Sequence, residues 1–120
     1  MSNQKNVHGT PLQPCSFSPK TGYIRDGFCT CIENDPGQHT ICVVLTDDFL
    51  AFSKQAGNNL SDPVPEYGFP GLKAGDQWCL CLSRWIEAYN NNCAPHVILE
   101  ASNESILKHV TLDVLKKFEL

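Results

Sequence analysis

Gly75-Asp76-Gln77-Trp78-Cys79-Leu80-Cys81-Leu82-Ser83-Arg84-Trp85-Ile86-Glu87-Ala88-Tyr89 is the stretch on which the fold turns. Trp78, Leu82, Trp85 and Tyr89 recur at three- and four-residue steps, which is one face of a helix. Asp76 is placed to cap such a helix over 76–89. The rival reading takes 77–82 as a strand and starts the helix near Ser83. The two readings aim the cysteines differently. On a helix, Cys79 and Cys81 point about 200° apart; on a strand, alternate residues share a face.

Immediately upstream, residues 57–75 hold Gly57, Gly68, Gly71 and Gly75 with Pro63, Pro65 and Pro70, and carry neither helix nor strand period. Structureless loops longer than about 12–15 residues are uncommon in compact domains and are often functional. This one also carries Leu60, Val64, Tyr67, Phe69 and Leu72, which marks an ordered loop laid across the core. Before it, Thr46-Asp47-Asp48 caps a helix whose apolar stripe is Phe49, Leu50, Phe52 and Ala56, ended by Gly57. His39 to Leu45 is a short β-branched run that fits a strand buried on both faces.

Residues 1–38 contain four Pro and four Gly without periodicity. They predict a loop-rich third, with one short strand through Tyr23 and Ile24 and a tight turn at Asn34-Asp35-Pro36-Gly37. Downstream, Asn90-Asn91-Asn92 ends the helix and His96 to Ala101 reads as a second buried strand. Ser102 or Asn103 caps a short helix through His109, and Thr111 another through Phe118. The pattern predicts an α+β fold over 1–120: a small mixed sheet with three to four helices packed against it, as one domain.

Composition narrows the function classes. Of the 120 residues 42% are hydrophobic, as in an ordinary globular chain. Net charge is −4 and the nine basic residues are scattered, so the stripe that displaces counterions from nucleic acid is missing. Apolar runs are too short to span a bilayer, and Met1 to Asn6 lacks the apolar segment of a secretory leader. A soluble, cytoplasmic protein is expected. In that compartment the seven cysteines should be thiols, metal ligands or catalytic groups, not a disulfide framework; buried cysteine is also a plain small hydrophobe.

Three chemistries fit these residues. A nucleophilic thiol needs a helix N-terminus, a cation or a histidine nearby. On the helical reading Cys79 occupies such a position, with His39 as base and Asp35, four residues before it, to hold the imidazole tautomer. Arg84, Trp78, Tyr67 and Asp76 would then bind a small molecule in a pocket beneath the 57–75 loop. A zinc site, if there is one, would draw on Cys29, Cys42 and Cys81, although neither Cys29-Thr30-Cys31 nor Cys79-Leu80-Cys81 has the usual zinc-ligand gap. The third reading is an interaction domain presenting Tyr67 and Phe69, its cysteines only filling the core. No residue pattern names a cofactor.

Several segments together carry a resemblance. They include Asn6-Val7, Leu12-x-Pro14-Cys15, Arg25-Asp26-Gly27 and Asp35-x-Gly37-x-His39-Thr40-x-Cys42. Thr21-Gly22, Gly57-Asn58, Phe69-Pro70-Gly71-Leu72, Gly75-Asp76-x-Trp78-Cys79-Leu80-Cys81, Arg84-Trp85 and Ala94-Pro95 belong to it as well. The chain resembles the domain of unknown function 2237 family, small and mainly bacterial proteins, from about Asn6 to the C-terminus. That resemblance implies no activity and assigns no residue a role.

Overall fold

The computed structural model describes residues 4–67, 69 and 71–120, apart from the side chain of Tyr67. Strand β1 (His39–Val44) is followed by helix α1 (Asp47–Gln55), strand β2 (Gln77–Cys81), helix α2 (Leu82–Asn90), strand β3 (His96–Val97) and helix α3 (Leu112–Lys116). Short 3₁₀ turns at Pro65–Tyr67, Leu99–Ala101 and Glu104–Lys108 complete the order. The α+β class stands. The decisive stretch takes the strand-then-helix reading: β2 ends at Cys81 and α2 begins at Leu82 with no intervening loop.

The sheet runs β2-β1-β3, with β1 antiparallel to both neighbours. A mixed sheet was expected; the parallel contact is confined to the edge, where Val97 bridges to Glu119. Antiparallel pairing of β1 with β2 follows from how the intervening chain leaves and returns. The Leu45 amide donates to the Asp76 carbonyl (2.9 Å) and the Gly75 amide to the Leu45 carbonyl (2.8 Å). Helix α1 and the 57–75 loop therefore form an excursion closed at its neck. Asp76 does not cap a helix. Its carboxylate accepts the Lys73 amide (3.0 Å) and pairs with Lys73 Nζ (3.7 Å), which holds the turn before β2.

Strand alternation sorts the core into two chemistries. Ile41 and Val43 of β1 and Trp78 and Leu80 of β2 join Phe49, Leu50, Leu82, Trp85, Ala88 and Leu115 in an apolar cluster under the helices. Cys42 and Cys79, the residues between them, stand opposite one another in register and pack with Cys15, Cys29 and Ala101. The helices are secured by the groups their sequences supply. Thr46 Oγ1 accepts the Phe49 amide (3.1 Å) at the start of α1, and Thr111 caps α3. Trp85 is fully buried, stacks on Tyr89 and meets Phe118 edge-on.

Among the described residues, the loop-rich first third forms no regular strand, and Tyr23 and Ile24 lie in a turn with exposed side chains, not in the expected strand. What holds this segment is covalent: Cys15 is bonded to Cys42 and Cys29 to Cys79. The expectation of no disulfide framework is thus overturned. Sequence separations of 27 and 50 residues leave no local trace, because the pairing is decided by sheet register. Polar contacts reinforce the two bridges. Thr21 Oγ1 accepts the Cys79 amide (2.8 Å), and Gln77 Nε2 donates to the Cys15 carbonyl.

Candidate functional site

The site begins with the turn before β1. Asp35 is 3% exposed, yet its carboxylate is fully engaged. It accepts the Gly37 amide (3.2 Å) and the His39 amide (2.8 Å), and its two oxygens lie 2.9 and 3.0 Å from His39 Nδ1. A carboxylate only accepts, so Nδ1 carries the proton and Nε2 is left as the acceptor nitrogen. The polar contacts of a turn thereby become the orientation of an imidazole.

A slip in the β1–β2 register then selects the residue opposite. Ile41, Cys42, Val43 and Val44 pair regularly with Leu80, Cys79, Trp78 and Gln77, but His39 pairs with Cys81 across an irregularity between His39 and Ile41. Bulges of this kind re-aim side chains, and they are common beside functional sites. Gly37 marks how closely the two groups approach. A Cβ on Gly37 would lie 3.0 Å from His39 Cε1 and 3.2 Å from Cys81 Sγ, so imidazole and sulfur share one small space that any side chain would fill. The Cys81 thiol donates to the Gly37 carbonyl (2.8 Å) and lies 3.3 Å from Ser83 Oγ. Cys81 is also the residue that opens α2, where unsatisfied amides and the helix dipole favour a negative charge.

His39 and Cys81 line a cleft of about 150 Å³ with Asn58, Leu60, Trp78, Leu80 and Arg84. Asn58 and Leu60 come from the 57–75 loop. Tyr23 stacks on His39 at 5.8 Å, and the Arg25 guanidinium lies 5.0 Å from the Trp78 ring centre. The Arg84 guanidinium donates through Nη1 to the Ala56 carbonyl and to Glu87 (both 3.2 Å).

The structure brings His39, Trp78 and Arg84 to one cleft, with Asp35 bonded to His39 behind it. Cys79 does not join them. It sits in the middle of β2, 1% exposed and bonded to Cys29, on the face opposite the cleft-lining Trp78 and Leu80. The thiol beside the imidazole is Cys81. Asp76 is at the other end of β2, roughly 16 Å along the strand at about 3.3 Å per residue, and lines a different hollow with Pro14 and Phe17. The Tyr67 side chain, like Gly68 and Pro70, lies outside the described residues. Phe69, expected on an interaction surface, is partly buried and meets Trp78 edge-on. The suggested metal set also divides, since Cys29 and Cys42 belong to the buried cluster and Cys81 is a free thiol. Tyr23, Arg25 and Asn58 have no local partner in sequence that would place them at this site.

Fold and site together define a small α+β protein with a carboxylate–imidazole–thiol group at a strand-to-helix junction. Its family follows from sequence: a model of the family described as "Uncharacterized protein conserved in bacteria (DUF2237)" matches residues 5–119, and the chain belongs to that family. No curated protein matches the chain. Among the described residues, no helix is long and apolar enough to cross a membrane.

Proposed function

We propose that this chain is a thiol-dependent enzyme acting on a small molecule with an electrophilic carbonyl. Cys81 is the nucleophile, His39 the base and Asp35 the group that orients the base. One observation carries the reading: a buried carboxylate spends both oxygens on a histidine whose ring adjoins a free thiol. That is the relation of orienting group, base and nucleophile that activated thiols require.

In this mechanism the Cys81 proton passes to His39 Nε2 as sulfur bonds to the carbonyl carbon. The tetrahedral intermediate collapses, and the leaving group departs with the proton returned by the imidazolium. A water molecule, giving its proton to the same nitrogen, then breaks the C–S bond and restores the thiol. Asn58 supplies a polar group to the cleft, and Arg84 brings positive charge for an anionic substituent. The cleft admits only a small acyl group. The compartment proposed is the cytoplasm, where the Cys81 thiol stays reduced; the two disulfides, rare in that compartment, are 0–3% exposed and so shielded from its reductants. Nucleic acid is not a proposed partner, given the net charge of −4.

Alkylation by iodoacetamide at pH 7, followed by mass spectrometry, tests the assignment. Cys81 is expected to react at least about 10-fold faster than the exposed Cys31, and His39→Ala is expected to remove that advantage. Equal rates at Cys81, Cys31 and Cys93 would defeat the proposal.

A further inference from the structure

The other face of β2 carries a second group of sulfurs that the cleft does not use. Cys15, Cys29, Cys42 and Cys79 are each 0–3% exposed and form a cluster of their own. They arrive from four separate places: two loop positions and the facing residues of two adjacent strands. Their two disulfides abut. The sulfurs of Cys15, Cys29 and Cys79 all lie within 4.8 Å of one another, and Cys42 is bonded to Cys15.

Reduction of both bridges would turn these four buried cysteines into a candidate ligand set. With zinc–sulfur bonds of about 2.3 Å, the sulfurs of a tetrahedral four-cysteine site stand roughly 3.8 Å apart. Cys15 already lies within 4.8 Å of Cys29 and Cys79, but both bridges must open, so that Cys29 parts from Cys79 and Cys42 from Cys15 by about 1.8 Å each to reach that spacing. The pocket is closed to water, as structural zinc sites are. Its surroundings supply supporting groups: Thr21 and Ser102 are fully buried, and their hydroxyls accept the amides of Cys79 (2.8 Å) and Cys42 (3.0 Å). Such hydroxyl–amide contacts fix the backbone that presents ligands. The remaining cysteines, Cys31, Cys81 and Cys93, stay outside the cluster as free thiols.

We infer that Cys15, Cys29, Cys42 and Cys79 form a redox-switched zinc site. Oxidised, the four are paired in two disulfides. A dithiol reductant transfers two electrons and two protons to each bridge and is itself oxidised to a disulfide, which leaves four thiols. One Zn²⁺ then binds four thiolates and displaces four protons. Either state ties the N-terminal third to the sheet, by covalent bonds in one and by the ion in the other. The inference is independent of the chemistry assigned to Cys81.

Cobalt(II), which reports tetrahedral thiolate ligation by its visible absorption, is the probe. The Cys31→Ser/Cys81→Ser/Cys93→Ser variant retains only the four clustered cysteines. After reduction and anaerobic removal of the reductant, it is expected to bind one Co²⁺ per chain, with thiolate-to-metal and tetrahedral bands that one equivalent of Zn²⁺ abolishes. The oxidised variant should bind none. Well under one Co²⁺ per reduced chain, whether or not the chain stays folded, would overturn the inference, as would equal binding by the oxidised form. Since this variant lacks Cys81, its result is separate from the alkylation experiment.

Discussion

Cys79 and Cys81 are two residues apart on one strand and have opposite fates. Cys79 is paired and sealed in a sulfur cluster; Cys81 is a free thiol in contact with a turn and near an imidazole. Alternation alone would send both to one face. The difference arises because β2 ends at Cys81, where α2 begins, and because β1 slips its register at His39. A strand centre confines a side chain to the sheet's interior, whereas a strand end delivers it to a junction. One residue type can therefore serve stability and chemistry at neighbouring positions.

Removing each sulfur in turn should break the comparison most visibly. In the oxidised protein, Cys29→Ser or Cys79→Ser opens a loop of 50 residues and is expected to cost about 4 kcal/mol by the chain-entropy estimate. Cys81→Ser should stay within about 0.5 kcal/mol, since Cys81 is partly exposed. Denaturant unfolding under non-reducing conditions checks both, and equal losses would erase the distinction between the two sulfurs.

A smaller effect is expected at Gly37. Its Cβ would meet His39 Cε1 and Cys81 Sγ at 3.0 and 3.2 Å, and overpacking costs about 1–3 kcal/mol. Gly37→Ala is therefore expected to destabilise by about 1 kcal/mol while slowing alkylation of Cys81 and leaving Cys31 unaffected. A variant with normal Cys81 reactivity would show that imidazole and sulfur do not need their present spacing.

The smallest effect concerns the exposed counterpart of Asp35. On the 57–75 loop, the Asn59 amide (2.9 Å) and then the Lys54 ammonium (3.6 Å) hold the Asp62 carboxyl below the usual carboxylate range. A depressed folded-state value means stability that is present above the unfolded carboxyl range and lost as pH falls through the folded one. The carboxyl is fully exposed, so solvent screens it and the stability change is slight. NMR titration should find that Asn59→Ala raises the Asp62 value more than Lys54→Ala does. The reverse order would assign the loop's restraint to charge.

Much of this was legible in the residues themselves. The capping threonines Thr46 and Thr111, the doubly buried run from His39, and the Asp35-to-His39 spacing each depend on neighbours within a few positions, where propensity and hydrogen bonding act. The junction at Cys81 was visible only as one of two readings. Trp78, Leu82, Trp85 and Tyr89 satisfy a helical period even though the first of them lies on the strand. The wrong thiol followed from the wrong period. Tyr23 and Arg25 were illegible as framing residues, because their partners, His39 and Trp78, lie beyond any local window.

By itself, then, the sequence determined an α+β chain with a bound turn at Asp35 and His39, helices α1 and α3 opened by their own threonine caps, and more cysteine than a core needs. Only the tertiary structure decided which cysteines meet. Contacts spanning 27 and 50 residues, and the one-residue slip that sets Cys81 opposite His39, are properties of strand register. Register is a collective result of burying both faces of the sheet at once, and no short segment encodes it alone.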